Sequence, residues 1–255
     1  MSSSAVPQRA DLRPAGRPIR GAVRRIGTAA ADVVVGGALV LGAVVASPVL
    51  RRRYNRWGVD EEEVTADLPG DELVAAPDLG YTRGITVDAP VDVVWPWVAQ
   101  MGQGRGGFYS YDGLENLCRC DIHSADHVLP EHQDVAVGDV VRLAPGRAPS
   151  FRVHAVRPPV ALVLVSAGPD APDEQARAGA GTPVVTWQWI LRPSGGGRRT
   201  RLLVRQRLSR PPAQRLMWRL VEPVGFVMER RMLRGIKARA EGRAPGGQVA
   251  GGQVS

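Results

Sequence analysis

Residues 183–208 read PVVTWQWILRPSGGGRRTRLLVRQRL, two runs of alternating character joined by the turn Pro193-Ser194-Gly195-Gly196-Gly197. In the first run Val185, Trp187, Trp189 and Leu191 share one face, while Thr186 and Gln188 share the other. A period of two in β-branched and aromatic residues predicts strands over 183–192 and 200–208. Similar strand patterns occur at YTRGITVDA (81–89), DVVRL (139–143), FRVHAV (151–156) and ALVLVS (161–166). In the first of these, Ile85 and Val87 belong to the inward phase. The acidic, Ala/Gly/Pro-rich run 167–182 reads as a long exposed hairpin loop.

Helical spacing appears at both ends of this block of strands. APVDVVWPWVAQM (89–101) predicts a helix capped by Asp88, with Pro90 in its first turn and a kink at Pro96. At 213–240, Leu216, Leu220, Val224, Val227, Met228 and Met232 mark a second, longer helix, with Pro223 as a break or kink. Consecutive strands flanked by helices predict an α+β fold, an antiparallel sheet with helices packed on one face. An apolar space between them is where a ligand would sit.

The formal charge of +8 is not spread over the chain. Residues 1–56 hold ten arginines against Asp11 and Asp32, and the remainder is neutral. A neutral body on a basic leader lacks the coherent basic face that phosphate backbones require, so nucleic acid is excluded as a partner. The leader encloses VVVGGALVLGAVVASPVL (33–50), 18 uncharged residues with Arg24 and Arg25 before them and Arg51-Arg52-Arg53 after. A membrane anchor, a signal peptide cleaved after Val44-Val45-Ala46, and a buried soluble helix all stay open. Length and arginine flanks favour the anchor. The expected organisation is a disordered basic N-terminus (1–25), a transmembrane helix (28–50), an acidic connector (51–80), a folded domain (81–243) and a disordered tail (244–255). Cell-membrane, single-pass localisation follows, with the side of the domain open.

QMGQGRGGFYSYD (100–112) contains a formal G-x-G-x-x-G at Gly102, Gly104 and Gly107. A phosphate cradle would follow a strand and open a helix, whereas these glycines follow a predicted helix. They read instead as a hinge presenting Phe108, Tyr109 and Tyr111. The next segment, CDIHSADHVLPEHQ, gathers His123, His127 and His132 with Asp121, Asp126 and Glu131. His123 and His127 would share one helical face, but the H-E-x-x-H pattern is missing, so no metal or other cofactor is expected. A short helix capped by Asp121 or Ser124 is expected there. Cys118 and Cys120, the only cysteines, read as buried or reduced thiols.

Four blocks carry a resemblance: RWGVDEEEVTADLPGDEL, RGITVDAPVDVVWPWVAQMGQGRGGFYSYDGLENL, DIHSADHVLPEHQDVAVGDVVRLAP and EPVGFVMERRMLRGIKARAE. Over residues 56–241 the chain resembles an actinobacterial-type branch of the SRPBCC superfamily, the START-like, polyketide cyclase/dehydrase and lipid-transport group. The resemblance implies a helix-grip fold, a curved antiparallel sheet around the C-terminal helix with a hydrophobic cavity between. That superfamily includes lipid carriers, hormone-binding proteins and aromatase/cyclases, and it supplies no shared catalytic set to carry over.

The expected function is a membrane-anchored binding or carrier protein for a hydrophobic small molecule: a lipid, isoprenoid or polyketide-like compound. Trp97, Phe108, Tyr109, Tyr111, Trp187 and Trp189 are the expected ligand-binding residues. An alternative is a cyclase or dehydratase in which Tyr109 or Tyr111 polarises a carbonyl and Asp112 or His123 moves a proton. A third is a non-catalytic interaction module using the basic helix 213–243.

Overall fold

The hairpin at 183–208 forms as the alternation predicts, as β5 (Val184–Ser194) and β6 (Arg199–Ser209). The computed structural model describes residues 18–146, 149–167, 184–209 and 215–243. The chain before residue 18, nearly all of the expected loop at 167–182, and the tail from 244 lie outside them. Four further strands are β1 (Leu79–Val87), β2 (Val140–Arg142), β3 (Ser150–Arg157) and β4 (Ala161–Ala167). They form a six-stranded antiparallel sheet in the order β1-β6-β5-β4-β3-β2. A register shift between Val153 and Ala155 interrupts the β3–β4 ladder, a feature that bends a strand.

Among the described residues five α-helices accompany the sheet: α1 (Pro18–Asn55), α2 (Glu61–Thr65), α3 (Val91–Ala99), α4 (Asp112–Leu117) and α5 (Arg215–Ala240). Helix α5 lays Leu233 and Ile236 on the inner sheet face, against the same core as Trp189, Leu191, Leu202 and Val204. Helix α3 adds Val94, Trp97 and Val98 to that core. This is the α+β arrangement that the order of elements predicts, with the C-terminal helix against the inner sheet face as the resemblance implies. Pro223 lies within α5 without ending it.

The approach of α5 to the glycine hinge depends on Gly235. A Cβ there would lie 2.3 Å from the Tyr109 carbonyl oxygen and 2.7 Å from the Tyr109 Cβ. No side chain fits, so the helix and the hinge backbone touch directly.

Several expectations change. Asp88 does not cap α3, because Pro90 occupies the cap position without a side-chain bond. Asp88 instead pairs with Arg199 (2.9 Å) and Lys237 (3.6 Å), tying the hairpin turn to the end of α5. The stretch 51–80 is more than a connector. Asp60 and Glu63 form a capping box on α2, and the chain then crosses the outer sheet face. There Leu68, Ala161, Ile190 and Leu203 make a small second core with Val59 and Ala66. Arg205 fastens it, donating to the carbonyls of Glu63, Val64 and Ala66, to Thr82 and to Asp71. Isolated apolar residues and carbonyls bound by one arginine leave no period in the sequence.

The expected transmembrane helix at 28–50 falls within α1, which is not one straight rod. Its segments Asp32–Ser47 and Val49–Asn55 meet at 117° across Pro48. Among the described residues no single helix is long and apolar enough to cross a membrane. The short leg packs on α5: Tyr54 stacks on Phe226 at 4.6 Å, and Arg51 pairs with Glu222 at 2.9 Å.

Gly235→Ala is expected to destabilise the fold by about 2–4 kcal/mol, since the added methyl meets backbone that cannot rotate away. Urea unfolding monitored by tryptophan fluorescence measures it. A loss below ~0.5 kcal/mol would mean that α5 and the hinge are not in direct contact.

Candidate functional site

The glycine hinge closes on itself. Gly102 and Gly107 exchange two backbone hydrogen bonds of 3.0 Å, and the amides of Gln103, Arg105 and Gly106 bond to the carbonyls of Arg142, Gly102 and Gln100. Amides committed in this way are not offered to a phosphate. Gly107 has a positive φ of 71°, and a Cβ there would strike the His123 carbonyl at 2.8 Å. The hinge thus runs directly beneath the histidine segment.

Five of the six expected ligand-binding residues converge. Trp97 meets Tyr109 edge-on at 5.9 Å, Phe108 lies 6.2 Å from Trp187, and Trp187 lies 5.2 Å from Trp189. All five are buried in the main core. Tyr111 goes elsewhere, to a separate cluster with Ala43, Tyr54 and Val227. Between sheet and α5 there is a cavity of about 50 Å³, bordered by Tyr81, Val185, Leu208 and Gly225. None of the five lines it, and a drug-sized ligand needs upward of ~300 Å³.

Beside that cavity is a charge cluster that sequence reasoning missed. Arg83, fully buried on β1, pairs with buried Glu229 on α5 at 2.8 Å and donates to the Tyr54 carbonyl on α1 at 2.9 Å. Trp187 donates its indole N–H to Glu229 at 3.1 Å, and the Tyr81 hydroxyl lies 3.4 Å from the same oxygen. The Arg83 guanidinium stacks 3.7 Å above the Tyr81 ring. Burial raises the Glu229 pKa against the opposing pull of Arg83. A signal existed: Arg83 shares the strand phase of Ile85 and Val87, and an arginine on an apolar phase needs a buried partner.

The proposed proton carriers serve the loop. Both Asp112 oxygens accept from Ser124, from its amide at 2.7 Å and its hydroxyl at 2.6 Å. Ser124 in turn accepts from the Tyr109 amide at 2.8 Å. The side chain of His123 is 81% exposed and pairs with Asp121 at 3.1 Å. His127 pairs with Asp126 at 2.7 Å, also in solvent. No helix forms over 121–129, so His123 and His127 do not share a helical face, and neither Asp121 nor Ser124 caps one. Asp112 and His123 are not directed into a common cavity. Glu115, next to them on α4, is largely buried; burial, then the charges of Asp112 and Asp32, push its pKa up to about 7.

Among the described residues, two roomier spaces lie outside the sheet-and-helix interior. One, of about 300 Å³, sits at the β1 edge, where Arg205 and Arg207 are already paired with Asp71. The other, of about 330 Å³, opens between α1 and α5. Its floor is apolar, from Leu39, Ala43, Leu50 and Phe226, and Arg230 and Arg234 stand at its rim.

No family model matches the sequence, and no curated protein matches it. Solved structures similar in shape include DynU16 from the dynemicin biosynthetic locus, at 21% identity and a TM-score of 0.34. That match covers 62% of this chain and 47% of DynU16, so the chain spans about half the length of that protein. CalU16 from Micromonospora echinospora matches at 15% identity and a TM-score of 0.30, over 64% of this chain and 83% of that one. A protein from Arthrobacter aurescens matches at 15% identity and 0.39, over 75% and 99%. Likeness at this level assigns neither family nor function.

Arg83→Met is expected to cost about 3–5 kcal/mol, because it strands Glu229 as an unpaired buried charge. Chemical denaturation checks this, and recovery of most of the loss in an Arg83→Met/Glu229→Gln double variant would confirm the coupling. Glu115 sets a pH dependence. Its folded pKa lies above the ordinary 4.5, so the folded state keeps a proton that the unfolded chain releases. The associated stability is full below pH 4.5 and is lost as pH rises through about 7. Glu115→Gln is expected to flatten that decline, worth up to ~3 kcal/mol, in unfolding curves collected across the window.

Proposed function

We propose that the protein is a membrane-associated binding protein for a hydrophobic small molecule, with its ligand site in the groove between α1 and α5. One observation carries this reading: α1 is apolar on two sides. Gly36, Val40 and Ala43 lie against Tyr111, Leu114 and α5. On another face Val34, Leu41 and Val45 are 70%, 66% and 73% exposed. Those three positions fall on one helical stripe, and uncovered apolar area costs roughly 25 cal/mol per Å².

A bilayer is the cover that fits the chemistry. Arg52 and Arg53, both exposed, follow the apolar stretch, where they meet headgroup phosphates. We place α1 in the interface, with the domain resting on the surface, because the helix is bent by 117° and packs one side against the domain while the outer stripe faces away. The solvent-facing His123 and the clasp role of Asp112 favour binding over the cyclase alternative.

The full chain is expected to co-sediment with vesicles of phosphatidylcholine and phosphatidylglycerol, and Leu41→Arg/Val45→Arg to reduce the bound fraction about tenfold without lowering Tm. Dodecanol at ~100 times its Kd is expected to raise Tm by about 5 °C. A chain that stays in the supernatant but dimerises through the same face, by light scattering, would overturn the membrane reading. Lack of stabilisation by dodecanol would overturn the ligand reading.

A further inference from the structure

The rim of the α1–α5 groove carries positive charge that no described residue answers. Arg230 and Arg234 are one helical turn apart on α5, with their guanidinium carbons 5.5 Å and 5.8 Å from the centre of the Trp57 ring. Arg231, between them in sequence, lies 5.4 Å over Tyr111 and feels the charge of Asp32 on α1. Among the described residues no carboxylate pairs with Arg230 or Arg234, whereas Arg51, Arg83, Arg201 and Arg205 all have one. The Nε of Arg230 is buried with no hydrogen-bond partner among the described residues. Burial and the like charge of Arg234 both disfavour the charged form of Arg230. Two cations held close together by an aromatic ring, one with an orphaned donor, make an anion receptor.

We infer that the groove takes a single-chain anionic amphiphile, its chain on Leu39, Ala43, Leu50 and Phe226 and its head on Arg230 and Arg234. This rests on the binding reading above and adds the class of ligand. The geometry suits a chain-and-head molecule because the apolar floor lies inside the corner of α1 while the guanidiniums stand at one side of it. Leu39 and Leu50 are themselves exposed, so the groove opens next to the apolar face assigned to the bilayer. A chain can pass from lipid to groove without crossing water. The site is separate from the sheet–α5 interior, whose cavity is bordered by other residues.

Dodecanoate and dodecanol, which share a chain and differ in head, separate this inference from the parent reading. Titration calorimetry on the full chain in phosphatidylcholine nanodiscs, with empty discs subtracted, is expected to show dodecanoate binding about tenfold tighter than dodecanol. Arg230→Gln/Arg234→Gln is expected to lower dodecanoate affinity about tenfold, to that of dodecanol in the same variant, with the folded state checked by its unfolding transition. Gly42→Phe is expected to abolish binding of both, since Gly42 lines the groove and a Cβ there meets nothing within 4 Å. Equal affinity for the two ligands would overturn the anionic head and leave the apolar site standing. Binding that survives Gly42→Phe in a folded protein would overturn the groove, and no binding of either would overturn both readings together.

Discussion

The buried guanidinium of Arg83 is where three layers of this protein meet. It belongs to β1, its charge is answered by Glu229 on α5, and its Nε is bound by the Tyr54 carbonyl at the end of α1. Taking both charges out of water costs several kcal/mol per ion unless the remaining polar atoms are bonded. Trp187 and Tyr81 supply that for Glu229. The dry interior therefore tolerates this arginine only when sheet, C-terminal helix and N-terminal helix are all in place. That requirement makes the short leg of α1 part of the fold.

With the short leg fixed, the rest of α1 has few options. The bend at Pro48 swings Asp32–Ser47 along α5 and α4, where Gly36 lets Tyr111 approach closely. Helix and hinge then meet from the other side, through Gly235 and the Tyr109 backbone. The glycines of the 100–107 loop thus matter for how near two backbones come, and the amides of Gly102, Gly106 and Gly107 are spent within the loop. A helix held this way covers part of its apolar surface and leaves the remainder outward. The groove and the exposed stripe are two consequences of one docking geometry.

The outer sheet face shows a second solution to the same problem of exposure. Ile190 and Leu203 point away from the main core and would face water, but the strap around Leu68 covers them. Arg205 holds the strap through three backbone carbonyls and Asp71. One side chain with five donors in a fixed fork can order an aperiodic segment. The acidic run 60–63, which looks like solvated surface in sequence, supplies Glu63 to Arg201 at 2.6 Å.

The six strands, α3 and α5 were legible in the sequence within a few residues, because alternation and helical spacing are local records of which face is buried. The α+β class followed from their order. Phe108, Tyr109, Trp187 and Trp189 could be picked out as a converging set, though tertiary packing made them core by filling the space between one another. Tertiary structure alone decided the rest: the pairing of Arg83 with Glu229 across 146 residues, the strap on the outer face, and a groove built from positions as far apart as Leu39 and Arg234. The physical reason is range. A period reports one element against water, whereas an ion pair, a strap or a groove exists only once distant segments are close enough to exclude it.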